Sequence, residues 1–443
     1  MSRGKGDRSA APRESGSAAD RPGTAESADS PRPGSAADPR ARISRRGLLF
    51  GGAVAGVGAA AAIGVDVLTR TPAAPAAGPS AAPDADPAAE TVPFFGAHQA
   101  GIDTVPQAHT TFVALDLRPE VDRAGMIRLM RILTDDAARL TAGKAALADS
   151  EPELAVLPSR LTVTFGFGPR VAALAPEKPS PAWLGPLPAF SVDRLDPAYG
   201  DGDLLLQVGA DDPLTLAHAL RMLLKDARSF TTLRWQQPGF RRARGSEKVG
   251  TTMRNLFGQI DGTVNPAPGT RDFEDLVWIT DRSSWARGGT GFVLRRIEMD
   301  LDKWDRLDRE GREQSVGRKL DNGAPLTGSR EHDEPDFEAK TVVGFPVIAE
   351  FSHIRRARLA DTSRRIFRRG YNFDAPPTAD GISHSGLLFA SYQADVEHQF
   401  VPIQRSLAEL DLLNEWQIPV GSAVFVIPPG CAADGYIGET LLG

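Results

Sequence analysis

Read from Thr110 onward, the chain alternates between extended and helical patterns in an order that leaves few folds open. TTFVALDL (110–117) reads as a strand, and DRAGMIRLMRILTDDAARL (122–140) carries apolar residues at helical spacing. RLTVTFGFGPRV (160–171) and GDLLLQVGADDP (202–213) read as two further strands. LTLAHALRMLLKDAR (214–228) reads as a second amphipathic helix, and TTLRWQQPGFRR (231–242) as an edge or closing strand. Strand, helix, two strands, helix and strand is the split βαβ order of a ferredoxin-like module. The second half repeats it less completely. GGTGFVLRRIEMDLDKW (288–304) is a strand leading into a helix near DRLDREGREQSVGRK, and SGLLFASYQAD (385–395) is another strand. VEHQFVPIQRSLAELDLL (396–413) is a helix and GSAVFVIPP (421–429) a last strand. The expectation is an α+β protein of two ferredoxin-like modules, 107–250 and 251–443, with the boundary near 245–255. Residues 312–384 fit neither half and read as a loop-rich insertion of the kind that carries function.

Residues 1–42 are polar and rich in Gly, Pro, Ala and Ser, a composition that cannot bury a core, so a disordered extension is expected. Residues 43–77 follow with Arg45 and Arg46 ahead of a weakly apolar Gly/Ala/Val run, which reads as a twin-arginine export signal. A retained membrane anchor is the weaker reading, because Gly47 to Val65 is mostly Ala and Gly and Asp66 ends the run. Residues 78–106 are then a linker and N-terminal arm. The expected location is extracellular or at the cell envelope. Twin-arginine export moves folded proteins, often with a cofactor already inserted. A single cysteine, Cys431, fits a protein that uses no intramolecular disulfide and no multi-cysteine metal site. The net charge is −6, and ten basic against six acidic side chains in residues 1–46 leave −10 for the rest, which argues against a nucleic-acid-binding body.

Chemistry concentrates in three stretches. GQIDG (258–262) holds a lone carboxylate, Asp261, between glycines and beside Phe257 and Ile260. FSHIRRARLADTSRRIFRRGYNF (351–373) joins His353, in a strand-like stretch, to a dense arginine group. PFFGAHQAGI (93–102) follows the linker. In isolation GQIDG is a turn. No second acid in its segment pairs with Asp261 as in a glycosidase, and the chain has no G-x-S-x-G, no H-E-x-x-H and no phosphate-binding glycine loop. A haem site, by contrast, needs one axial histidine and an open sixth position. If peroxide binds there, an acid can move its proton between the two oxygens and a cation can stabilise charge as the O–O bond breaks.

These motifs resemble the dye-decolorizing peroxidases of the exported subgroup over about residues 92–443. The family's G-x-x-D-G stands as Gly258, Gln259, Ile260, Asp261 and Gly262, followed by TVNP; SHIRRA, FRRGYNF, PFFGAHQAGI and GLLFASYQ (386–393) match further signatures. The resemblance implies haem b, one per chain and in the C-terminal module. It implies His353 as the iron ligand and Asp261 with Arg368 as the catalytic pair, Arg369 being the competitor for the arginine. Gly262, Thr263, Val264, Leu387 and Phe389 would contact the haem, and some of Arg355, Arg356 and Arg358 would meet its propionates. The candidate for the carboxylate behind His353 is Asp411, with Glu409 and Glu415 close by. His98 and His332 read as structural and solvated, His384 and His398 as candidates for the haem periphery. Trp278, Trp285, Tyr371 and Trp416 read mainly as core. The implied partners are hydrogen peroxide, organic electron donors such as dyes and phenols, the twin-arginine machinery and, optionally, further copies in a homo-oligomer. The second function the resemblance offers is an exported, deferrochelatase-like haem-binding component of iron uptake.

Overall fold

The computed structural model describes residues 86–443 apart from 378–380 and 382. The extension 1–42 and the export region 43–77 lie outside the described residues, as does the linker before Asp86.

Among the described residues nine strands form one sheet: β1 (His109–Leu117), β2 (Thr162–Phe167), β3 (Leu204–Ala210), β4 (Thr231–Phe240), β5 (Thr290–Met299), β6 (Phe367–Arg368), β7 (Tyr371–Ala375), β8 (His384–Gln393) and β9 (Gln417–Ile427). Its order is β5-β9-β2-β3-β1-β4-β7-β8-β6, and a β5–β8 pairing closes it into a barrel. Two copies of one arrangement lie within it, β4-β1-β3-β2 and β9-β5-β8-β7, each antiparallel. β6 continues β7 along the same edge of β8, Arg368 opposite Ser391 and Tyr371 opposite Leu388. The stretch 312–384 therefore supplies the second strand of the second module, a strand too short and too interrupted by Arg369 and Gly370 to show a two-residue period.

The two half-barrels meet at single residue pairs, Phe167 with Val426 and Phe240 with Asn372. Side chains of the N-terminal arm and the arginine group complete both seams. At one, Gln99 donates to the carbonyls of Phe165 (3.0 Å) and Pro428 (2.9 Å) and accepts from the Phe165 amide (2.8 Å). Gly101 sits beside it at φ +97°, where a Cβ would come within 2.3 Å of Thr164 Oγ1, so only glycine is accommodated. At the other, Arg369 donates to the carbonyls of Ile102 and Thr104 and to Gln107 Oε1. PFFGAHQAGI is thus a barrel fastener.

On the outer face of the first half, helices Arg123–Thr141 and Pro213–Ala227 are capped by Asp122 and Asp212 and pack Met126, Leu129, Met130, Leu133, Leu220 and Leu223 onto the sheet. Segments are exchanged between the halves. Tyr436, Ile437, Leu441 and Leu442, beyond β9, pack into this first cluster. In return Phe190 packs with Val293, Val396 and Val424 of the second half, and Asp193 forms a buried ion pair with Arg295 on β5.

The outer face of the second half differs. Short helices Leu301–Trp304, Arg309–Val316, His353–Ala357 and Val401–Leu410 cover it. Two apolar clusters flank its centre, one around Phe257, Trp304, Leu387 and Trp416, the other around Phe190, Val293 and Phe400, and Phe389 touches both. The expected helix 396–413 opens as a π turn at Val396–Phe400, and β9 begins at Gln417 rather than 421.

Candidate active site

The Asp261 loop is shaped by its own backbone. Asn255 Oδ1 accepts from the amides of Phe257 and Gln259, and the Asp261 amide donates to Met253 O (2.8 Å), which closes a tight hairpin. Gly262 follows at φ +123°; a Cβ there would meet nothing nearer than 3.5 Å, so backbone conformation rather than space requires the glycine. Beyond it Thr263 donates its hydroxyl to Glu331 Oε1 (3.0 Å), and Val264 is 61% exposed.

Arg368 is held at both ends by this loop. Its guanidinium donates to Asp261 Oδ1 at 2.8 Å. The Asn265 side chain accepts from the Arg368 amide (3.0 Å) and donates to the Arg368 carbonyl (2.7 Å). Arg369 points the other way into the barrel seam, so Arg368 is the arginine of the two that meets Asp261. Asn265 was not legible as a site residue, since a two-bond clamp across the fold leaves no mark on local spacing.

His353 opens a helical turn rather than a strand. Ser352 O accepts from the amides of Arg355 and Arg356 (3.0 Å each), and Ser352 Oγ ties the turn to Gln314 O (2.8 Å). The imidazole Nδ1 lies 2.6 Å from Asp411 Oδ2. Asp411 is buried at the junction of the helix Val401–Leu410 and the turn Leu412–Glu415, and its Oδ1 accepts from the Leu413 amide (3.0 Å). Of the three candidate acids, Asp411 is the partner; Glu409 pairs with Arg356 and Glu415 with Lys303. A carboxylate facing Nδ1 assigns the proton there and leaves Nε2 as a lone-pair donor. Burial opposes protonation of His353, but the charge and hydrogen bond of Asp411 outweigh it, so its pKa lies above the ordinary histidine value. Arg368 lowers it and Asp261 raises it, which places all three within charge reach of one another.

These residues suit haem. His353 Nε2 has no hydrogen-bond partner among the described residues, and the side chains of His353, Asp261 and Arg368 keep 25%, 18% and 21% exposure within an otherwise packed face. Leu387 and Phe389 share the outer face of β8, and Ser391 Oγ, next on that face and paired in register with Arg368, is buried without a partner.

The other candidates find protein partners. Arg355 donates to the carbonyls of Phe337 and Ile348, Arg356 to Ser406 O and Glu409, and Arg358 pairs with Glu334. His98 stacks on Trp278 with ring centroids 3.8 Å apart and its Nδ1 lies 2.6 Å from Gly288 O. His332 is exposed, His384 contacts Glu298 (3.0 Å), and His398 lies 3.3 Å from Ser363 Oγ. Trp278, Trp285, Tyr371 and Trp416 are buried in the apolar clusters.

An imidazole anchored at one nitrogen and without a described partner at the other, within charge reach of an aspartate–arginine pair on a closed double ferredoxin-like barrel, is the constellation of a haem-dependent peroxidase. The chain belongs to the Dyp-type peroxidase family: the N-terminal family model matches residues 99–241 and the C-terminal one 252–432. It is 37% identical over 419 residues to the dye-decolorizing peroxidase of Thermobifida fusca (strain YX), covering 90% of this chain and 97% of that protein. It is 36% identical over 380 residues to the deferrochelatase of Escherichia coli (strain K12), covering 80% of this chain and 88% of that one. The crystal structure of the DyP-type peroxidase from Cellulomonas bogoriensis superimposes with a TM-score of 0.78 at 53% identity, covering 81% of this chain and 99% of that chain.

Proposed function

We propose that this peroxidase would hold one haem b per chain through His353 Nε2, with Asp261 and Arg368 serving the bound peroxide. The observation that carries the reading is the free Nε2 of an Asp411-anchored imidazole within charge reach of the Asp261–Arg368 pair. Haem, when bound, supplies the electrons that split the O–O bond of hydrogen peroxide and then takes one electron at a time from an organic donor such as a dye or phenol. The protein's part is proton traffic and charge. Arg368 occupies Asp261 Oδ1, which leaves Oδ2 to take the proton from one peroxide oxygen and return it to the other. The remaining Arg368 N–H groups stabilise the oxygen that leaves as water. Asp411 keeps the Nδ1 proton in place and makes the imidazole a stronger donor. Gly262, Thr263, Val264, Leu387 and Phe389 border the haem in this reading. The module limits 107–250 and 251–443 are supported by the family matches to residues 99–241 and 252–432.

Arg45 and Arg46 would direct the folded protein through the twin-arginine machinery to the cell envelope or exterior, where it works alone or as a homo-oligomer. Replacing both with lysine and fractionating cells tests this; unchanged export would remove the signal.

The central test is reconstitution with haemin. The wild type should show a ferric Soret band and bleach dye only with peroxide, while Asp261→Ala keeps the Soret band and reacts with peroxide more slowly. An Asp261→Ala rate equal to wild type would take the proton-transfer role from Asp261. The kinship to the E. coli deferrochelatase supports a second reading, removal of iron from haem for uptake. Protoporphyrin with its ring intact as the product would favour it.

A further inference from the structure

Arg318 is a buried cation with no carboxylate in direct contact among the described residues. It follows the helix Arg309–Val316, is 6% exposed, and forms no ion pair among the described residues. Its Nη1 donates to the carbonyls of Gly323 (2.6 Å) and Glu331 (2.8 Å), whereas its Nε and Nη2 have no hydrogen-bond partner among the described residues. The nearby acid is already engaged: Glu331 Oε1 accepts the hydroxyls of Thr252 (2.6 Å) and Thr263 (3.0 Å). Burial lowers the Arg318 pKa, the charges of Glu331 and Glu334 oppose that, and Arg368 and Arg358 lower it further, so Arg318 lies within charge reach of the distal arginine.

The segment carrying it is laid against the Asp261 loop. Arg254 Nη1 stitches Gly258 O (2.8 Å) to Leu320 O (2.6 Å), and the Glu331 contacts bind the segment to Thr252 and Thr263 on either side of Asp261. A guanidinium fixed on one side and open along Nε–Nη2 presents the fork that matches a carboxylate. Of the arginines first considered for the propionates, Arg356 and Arg358 are spent on Glu409 and Glu334. Arg355 is half-exposed and lies beside the Phe337 ring. We propose that Arg318 receives a propionate carboxylate of the haem. The assignment rests on the reading that the space between His353 and Asp261 takes haem.

The test is titration of apo-protein with haemin and with haemin dimethyl ester, whose propionates are masked, followed by Soret absorbance. Arg318→Met should weaken haemin binding about tenfold or more, the usual loss for a charged hydrogen-bonded partner. It should leave the weaker binding of the ester unchanged. Arg318→Lys should fall between, and Arg355→Met should match the wild type. Equal haemin affinity in Arg318→Met and wild type overturns the proposal. So does an equal loss for haemin and ester, which would make Arg318 a brace for its loop. Intact haemin affinity with weaker oxidation of carboxylate-bearing donors alone would assign the carboxylate to substrate and also overturn it. Uptake of neither porphyrin by the wild type would sink the haem reading itself.

Discussion

The two half-barrels share a strand order and differ in what covers them. In the first, residues 118–161 and 211–230 each contribute a long amphipathic helix, and the outer face is filled with apolar side chains. In the second, the equivalent connection from β5 to β6 runs over residues 300–366 and contains only short helices, so the face is covered by loops that bring polar groups inward. One scaffold therefore yields a half packed with apolar side chains and a half whose cover carries His353, Asp261 and Arg368. Covering a sheet with long helices leaves no space, because interior packing is as dense as a crystal.

Breaking the second half should remove chemistry, and breaking the first should change only stability. The largest expected effect is His353→Ala, which should abolish the normal Soret band of haemin-loaded protein while the circular dichroism spectrum is retained. Asp261→Ala should slow the peroxide reaction by about 10²–10⁴-fold, the usual worth of a positioned acid–base group, with haem content unchanged in stopped-flow samples. At the junction, Asp193→Ala would strand Arg295 as an unpaired buried charge and cost about 3–5 kcal/mol in urea unfolding. Asp411→Ala should weaken haemin affinity or activity about 10–100-fold through the imidazole it holds.

The smallest effect sharpens the contrast from the other side. Asp136, buried in the first half, has its pKa raised to about 7 by burial and by sharing a hydrogen bond and charge with Asp226. A carboxyl whose folded pKa is raised favours the folded state fully below its unfolded pKa, and that contribution is lost as pH rises through about 7. Melting temperature should therefore fall by a few degrees between about pH 4 and pH 7 and level off above it, and Asp136→Asn should flatten that slope without touching haem binding. A change in the peroxide reaction of that variant would show that the halves are not functionally separate.

How much of this was legible follows from the reach of each signal. The helices at 123–141 and 213–227 and most strands declared themselves through periodicity, because each has one buried face long enough to repeat. The short strands β6 and β7 did not, and the helical turn at His353 looked like a strand because five residues cannot show a helical period. The short helix Arg271–Val277 left no clear signal either. The Asp261 motif was visible as a motif, yet its role as one jaw around Arg368 was not, since Asn265 and Arg368 are far apart in the chain.

By itself the sequence determined the two-module α+β plan, the chemical types at the site and the family, because these live in local periods and contiguous motifs. Only the tertiary structure put Arg368 rather than Arg369 on Asp261, put Asp411 rather than Glu409 or Glu415 on His353, and left Arg318 without a carboxylate in direct contact. The site draws on the loop between the halves, the long β5–β6 connection, the short strand β6 and the end of the helix Val401–Leu410. Hydrogen-bond partners from four separate segments are set by how the chain closes in space, and no spacing along it records that closure.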